Sequence, residues 1–470
     1  MFRGAGSQPV AACLTLLLTF CALAVTACAP RAPDMSQRTG LIQLPAGTVI
    51  LHRELTIPEG AHDLEMRGNP SGSTLRAAPD FHGRALIYAK NATGLRLSGF
   101  RIDGNRAVLE KPTGLPTGDV PFARYYRNNG IVLENAKDVL IRNVSFTEVA
   151  SYPIIVSASV GVHIEGVHIE DCGSHAPNGR NNASGGILIE EGTRDFAIRQ
   201  CTIRRVPGNA IWTHSFYHSP RNADGIIEQN DVQDVARDAI QVGHATNVTV
   251  RANTGRRIGY PVELVDIAAW AVPVAMDTAG NVDRSSYVGN RFEDINGKCM
   301  DLDGFHDGEI RNNSCVSRQP PGAYPYAQFG IVFNNSSPDV APANVLVSGN
   351  LIDGAGYGGL YLLGAHQVIT HNRFLNLNRD ECTDDRTRPH CDYSTGDPAL
   401  LRSGIYLVAG AARPARTLDN RIEDNQVSGF GMRKWCIEAA PGVQLGANRI
   451  AGNHCMDTEP RPNPLRPSLP

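Results

Sequence analysis

A five-residue unit that alternates outward and inward positions returns along most of the chain, and this return limits the possible folds more than any other feature. It begins as Gly-Ile-Val-Leu-Glu at 130–134 and recurs at 153–157, 186–190, 210–214 and 239–243, then at 273–277, 299–303, 330–334, 359–363, 404–408 and 436–440. Starts 130 and 153 lie 23 residues apart, starts 186 and 210 lie 24 apart, and the longest spacing, 359 to 404, is 45. The bare unit is therefore about two dozen residues, lengthened in places by insertions. A second signal runs in step with it. Asn230, Asn290, Asn350, Asn372, Asn425 and Asn448 each stand two residues before Val, Phe or Ile, and Asn313 stands so before Cys315. One short strand cannot bury its apolar face alone. Stacked coils can, because each strand pairs with the next and like residues align into interior ladders. Asparagines at the bends then hydrogen-bond along the stacking axis. A leucine-rich repeat needs a leucine spacing that is absent, and a propeller needs longer antiparallel blades. The expected fold is all-β: a single-stranded right-handed parallel β-helix of about 12 coils, with loop insertions along one edge.

The composition agrees with this expectation. Glycine is frequent at 47 residues and aromatics make up only 6%, as suits a turn-rich β protein, while 42% hydrophobic residues exclude a disordered chain. A net charge of -3, from 44 basic and 47 acidic residues, leaves no electrostatic footprint for nucleic acid. Four segments are expected: 1–27 a lipoprotein signal peptide, 28–40 a tether, 41–455 the β-helix and 456–470 a Pro-rich disordered tail. The first rests on Arg3, an apolar run at 10–25, and Val25-Thr26-Ala27-Cys28, which resembles a lipobox whose cysteine, Cys28, is lipidated. An ordinary secretory signal or an N-terminal membrane anchor is the alternative. An extracytoplasmic, lipid-anchored protein at the outer membrane or cell surface follows, held to the membrane by its lipid only and expected to be a monomer. That address permits disulfides. Cys382 pairs plausibly with Cys391 and Cys436 with Cys455, while Cys172, Cys201, Cys299 and Cys315 either pair or stack inside.

Together with the opening coils Ile42–Thr48 and Leu55–Gly60, these repeats resemble the pectate-lyase-like superfamily of right-handed parallel β-helix proteins. The resemblance spans residues 40 to about 454 and implies the fold. It does not imply one activity, because the superfamily holds lyases, hydrolases, epimerases, esterases, tailspikes and adhesins. The polygalacturonase motifs are missing, with Gly243-His244-Ala245 a lone partial echo. The Asp-Pro-His element of mannuronan epimerases is broken by Gly304 and Phe305 between Asp303 and His306.

Insertions at 106–128, 174–184, 255–272, 318–329 and 378–403 all precede the repeating unit, so they emerge along one edge and are expected to wall a trough. Tyr125, Tyr126, Tyr260, Trp270, Tyr324 and Tyr326 in them suit sugar stacking. On the strand face below, the fifth position of the unit reads Glu134, Ser157, Glu190, His214, Gly243, Asp277, Asp303, Asn334, and the third includes Trp212, Gln241 and Asp301. With coils ~4.8 Å apart and alternate residues ~6.7 Å apart, Asp277 and Asp303 are expected as neighbours, with Asp301 farther along the strand. Crowded carboxylates separate their pKa values into an acid and a base. The first pair approaches the ~5 Å of a retaining glycosidase and Asp301–Asp303 the ~6.5–9.5 Å of an inverting one. Calcium held by these oxygens is an alternative and a solvated polar ladder another; no other cofactor is expected, and the histidines show no zinc spacing. His214 and His306 join the aspartates as candidate catalytic groups, and His214 or Lys298 would be the base of a β-elimination. Trp212, Gln241, Glu190, Asn334, Tyr217, Arg221 and Lys298 are the candidate substrate-binding residues. His163 and His168 are read as structural. The expected function is carbohydrate-active, cleaving or remodelling a polysaccharide as a glycoside hydrolase or polysaccharide lyase. The alternative is a non-catalytic glycan-binding or surface-structural β-helix.

Overall fold

Three parallel strand ladders run the length of the molecule, one strand of each per coil. The computed structural model describes residues 30–458 except 117, 269, 270 and 411. The signal-peptide and Cys28 assignments, Trp270 and residues 459–470 of the tail lie outside these. The first ladder runs from Leu55–Ile57 to Ile437–Ala439, the second from Gly40–Gln43 to Arg449–Ala451, and the third from Gly47–Leu51 to His454–Asp457. The first two are continuous where Ile240–Arg251 and Val274–Asp283 run through both, which joins them into one 27-stranded sheet beside a separate 14-stranded third ladder. Those 14 strands set the number of turns slightly above the dozen expected.

Alternation places the repeating apolar residues inside. Ile211, Ile240, Met276, Met300, Ile331, Leu360 and Ile405 pair in direct register and are all fully buried, so each coil packs on like residues above and below. The bend into the third ladder carries the asparagine stack. Asn230, Asn253, Asn290, Asn313, Asn350, Asn372, Asn425 and Asn453 each donate through Nδ2 to Oδ1 of the next, at 2.8–3.0 Å. Each Oδ1 also accepts the preceding asparagine's backbone N–H. Asn448, expected in this row, belongs to a different bend, where Asn420 donates to it at 2.8 Å. Asn253 escaped the pattern because Gly255 stands where an apolar residue was sought, whereas Asn453 before Cys455 repeats the spacing of Asn313 before Cys315 and was passed over.

Disulfides join Cys382 to Cys391 and Cys436 to Cys455 as expected, and also Cys299 to Cys315. Cys172 and Cys201 are free and buried in the interior. Among the described residues no helix is long and apolar enough to cross a membrane.

Candidate active site

The register of the first ladder corrects the expected pairing of the aspartates. Trp212 pairs with Gln241, Gln241 with Asp277, Asp277 with Asp301 and Asp301 with Val332. Asp303 pairs instead with Asn334. The unit in this coil is Ala275–Ala279 rather than 273–277, because Met276 must meet Ile240 and Met300 inside. Period-two alternation is blind to a slip of two residues, which keeps every side chain on its face. Asp277 and Asp301 are therefore the neighbours across coils, ~4.8 Å apart along the axis, and Asp303 is the residue farther along.

Neither aspartate is a solvated rung. Asp277 is 8% and Asp301 6% exposed, and they sit in a buried polar cluster with Gln241, Asn209 and Asp238. Asn209 Nδ2 donates to Gln241 Oε1 at 2.8 Å, and Gln241 Nε2 donates to Asp277 Oδ2 at 2.5 Å. Lys298 Nζ donates to Asp301 Oδ2 at 2.5 Å. Asp238 Oδ1 accepts the Val274 N–H at 2.9 Å, and the guanidinium of Arg237 lies 3.6 Å from Asp238 Oδ2. The Oδ1 of Asp301 is buried with no hydrogen-bond partner among the described residues. In a native interior such an atom is uncommon.

Three carboxylates here face two cations, so full ionisation is disfavoured. Burial, then the negative charge of Asp238 and Asp301, raises the Asp277 carboxyl well above the ordinary range, against the pull of the Gln241 amide. Burial also raises Asp238, opposed first by Arg237, and Asp301, opposed first by Lys298. Burial acts against the Lys298 ammonium, but Asp301, Asp277 and Asp238 together hold its pKa above the usual lysine value. The cluster thus favours the protonated form of Asp277, while the Lys298 ammonium pulls the neighbouring Asp301 toward ionisation. Asn209, Arg237 and Asp238 were not singled out from sequence. Asn209, Asp238 and Lys298 stand just ahead of the units that start at Ala210, Ala239 and Cys299, outside the five-residue window.

The other expected site residues divide into three groups. Glu190 and Trp212 are packed rather than presented. Glu190 is wholly buried, and its two oxygens accept the backbone N–H groups of Phe122 (2.8 Å) and Ala123 (2.9 Å) in the short helix Phe122–Tyr125. The 106–128 insertion therefore folds down onto the strand face, and Trp212 lies edge-on to Phe122 with centroids 5.1 Å apart, in an apolar cluster with Tyr88, Tyr126 and Tyr152. Tyr126, Tyr260 and Tyr324, expected to stack on sugars, are buried anchors of their own loops; the Tyr260 hydroxyl, for example, donates to the Ala323 carbonyl at 2.6 Å. His214 sits against Phe122, Trp212 and Phe216, and burial, then His244, lowers its pKa to about 4, so its ring is neutral.

Burial pushes the Glu190 carboxyl up to about 7, partly offset by the two N–H donors. A raised carboxyl pKa means that its stability contribution is complete below the ordinary value of 4.5 and is lost as pH rises through about 7. Glu190→Ala is expected to open the 106–128 insertion by stranding two buried N–H groups, at about 1–3 kcal/mol each. Trp212 emission should shift to the red, limited proteolysis should cut the insertion, and the wild-type pH dependence of both should flatten. An unchanged emission and cleavage pattern would remove Glu190 as the clamp.

Asp303 and Asn334 hold loops. Asp303 accepts the Ser336 N–H at 2.6 Å and the Ser336 hydroxyl, while Asn334 Oδ1 accepts the N–H groups of Asn335 and Ala412. His306 has moved off the first ladder into the bend beyond it, between Asp307 (2.6 Å) and Asn281 (3.1 Å). Arg221 donates to Asn281 and to Asp283, both at 2.9 Å, and the exposed Tyr217 lies over His244, centroids 4.9 Å apart. The structure thus brings Gln241, Asp277, Lys298 and Asp301 together, and sets His306, Arg221 and Tyr217 in a neighbouring network.

For a cation, the aspartates offer a cluster in which the Lys298 ammonium already lies against Asp301. Elsewhere Glu190, Glu191 and His214 have ligand atoms within 4.8 Å of one another, but both Glu190 oxygens are engaged by backbone donors.

Comparison with known proteins gives the fold its family. Solved structures to which this chain is similar include the surface adhesin PfbA of Streptococcus pneumoniae, at 12% identity over 82% of each chain and a TM-score of 0.47. DFA-IIIase from Arthrobacter chlorophenolicus A6 is similar at 13% identity over 88% of each chain, TM-score 0.49. The periplasmic alginate epimerase AlgG is similar at 12% identity over 89% of this chain and 78% of its own, TM-score 0.47. Likeness at this level concerns the fold alone. No curated protein matches the sequence. The profile of the right-handed β-helix region matches residues 85–266 and 276–457, most of the coils described above, and the chain belongs to that family.

Proposed function

We propose that this protein is an extracytoplasmic carbohydrate-active enzyme that hydrolyses a glycosidic bond at the Asp277–Asp301 pair. The observation that carries the reading is geometric: Asp277 and Asp301 pair in direct register on adjacent coils, Gln241 donating to the first and the Lys298 ammonium to the second. Burial beside other carboxylates favours the protonated form of Asp277. Asp277 donates its proton to the leaving glycosidic oxygen. Asp301, oriented by Lys298, supplies the negative charge that meets the developing oxocarbenium ion. Asp301 attacks the anomeric carbon as nucleophile, as in a retaining enzyme, and water deprotonated by the Asp277 carboxylate then releases the sugar and returns the proton to Asp277. Elimination is less well supported, since Lys298 remains an ammonium and His214 has aromatic rings around it. Three disulfides among the described residues support an oxidising compartment, and lipidation at Cys28 would tether the chain there through residues 28–40.

The test is to incubate the soluble chain from Gln37 onward with neutral and acidic polysaccharides, with and without calcium. New reducing ends without ultraviolet absorbance are the expected result. Absorbance from unsaturated sugar would replace hydrolysis with elimination. Silence across the panel would favour the glycan-binding alternative.

A further inference from the structure

Away from the aspartates, a shallow groove of about 760 Å³ lies on the bend between the first and second ladders. From Asp63 to Asp419 one residue at a fixed register in this bend is left-handed. In the earlier coils it is aspartate or glycine, as at Asp138 and Gly161, where the Asp138 carboxylate fills the space over the glycine. From residue 247 the row changes to Asn247, Arg284, Asp307, Asn344 and His366, all at positive φ and all exposed. Left-handed backbone accepts Asn, Asp and His readily, so what sets this stretch apart is the sequence of five exposed polar side chains with both donors and acceptors. These five side chains form one polar rim, with a rung every ~4.8 Å over ~19 Å.

The floor is a second row in direct register, Thr249, Ser286, Glu309, Leu346 and Val368, all half-buried. It passes from hydroxyls through a carboxylate to bare aliphatic surface. A rim of mixed donors and acceptors above such a floor suits a ligand that carries hydroxyls at its edges and C–H groups on its faces, repeated along a line. An extended sugar chain has that chemistry. The charges along the groove are already paired, Asp307 with His306 (2.6 Å), Glu309 with Arg311 (3.0 Å) and Arg284 with Asp283 (3.6 Å), so an uncharged chain fits better than a polyuronate. Parts of the rim are already braced: Asn344 Nδ2 donates to Asp307 at 2.8 Å, and Arg284 to the Thr246 hydroxyl at 2.9 Å. Bracing holds the groups in place before a ligand arrives.

We propose that this groove is a second, non-catalytic site that binds a neutral extended polysaccharide parallel to the coil axis. Its position suits a role in holding polymer, because one strand turn separates Asp301 from Asp307. It is independent of whether Asp277 cleaves anything.

Affinity electrophoresis of the Asp277→Asn chain tests it, in gels cast with mixed-linkage β-glucan, galactomannan, xylan, dextran or alginate. At least one neutral gel should retard the protein. Ser286→Trp, which fills the floor, should abolish the retardation. The Arg284→Ala/Asn344→Ala pair should weaken it at least fivefold, and circular dichroism should be unchanged in both. Retardation in no neutral gel, retardation by alginate alone, or neutral retardation that survives both variants would each overturn the groove. Absence of hydrolysis in the wild type leaves these outcomes as they stand, so the two proposals fail separately.

Discussion

Asp277→Asn is expected to lower turnover by on the order of 10²–10⁴-fold while leaving the fold intact. The reason lies in the protonation state. Burial and two neighbouring carboxylates hold Asp277 as the neutral acid, and asparagine reproduces a neutral acid in size and in its ability to accept the Gln241 hydrogen bond. It cannot donate a proton to a leaving group. The same logic predicts a pH effect on stability. With its folded pKa above the ordinary carboxylate value, Asp277 stabilises the fold at low pH, and that contribution is lost as pH rises through the folded value. The variant should therefore lose less stability than the wild type between acid and neutral pH. Asp301→Asn is a poorer probe, because it leaves the Lys298 ammonium buried beside a neutral amide, and breaking a buried pair costs about 3–5 kcal/mol. Reducing-end assays and thermal melts across pH, run on both variants, separate the two effects. Turnover near the wild-type level in Asp277→Asn would rule out Asp277 as the acid.

The contrast between fold and site shows what a repeating sequence makes legible. Coil length, strand positions and the inward row from Ile211 to Ile405, apart from the place of Met276 in it, were readable because stacking writes the same requirement into every coil. The Cys382–Cys391 disulfide was readable because the two bracket one polar insertion, and Cys436–Cys455 because they are the last two cysteines and clamp the C-terminal coil. Cys299–Cys315 was one of several pairings that spacing allowed. The site was harder to read. Pro273-Val-Ala-Met-Asp277 fits the five-residue pattern as well as Ala275–Ala279 does, and only the partners of Met276 decide between them. Asp238 and Asn209 stand just before the repeat, where side chains still reach the third-position ladder. Burial was the least legible property. Trp212, Tyr126 and Glu190 look like groups presented to a ligand until the 106–128 insertion folds over them. A loop's length does not say whether it walls a trough or lies across its floor.

Asn313→Val should lower stability by about 2–4 kcal/mol, and Asn453→Val by much less. Asn313 sits mid-stack and is fully buried, accepting from the backbone N–H and Nδ2 of Asn290 and donating to Tyr287 and Asn350. Valine matches its size poorly and its hydrogen bonding not at all, which strands at least the Asn290 N–H in an interior without water. Asn453 accepts the same pair of bonds from Asn425, but it lies in the final described coil and is half-buried, so water can replace the lost oxygen. Stacked repeats interact with nearest neighbours, so a defect in the middle uncouples two long blocks while one at the end frays a single coil. Urea titrations followed by circular dichroism measure both. A broadened or two-step transition in Asn313→Val, with a single shifted step in Asn453→Val, is the expected signature. Equal and small losses in the two would mean that the coils are held by their apolar interior alone and that the asparagine row adds only register.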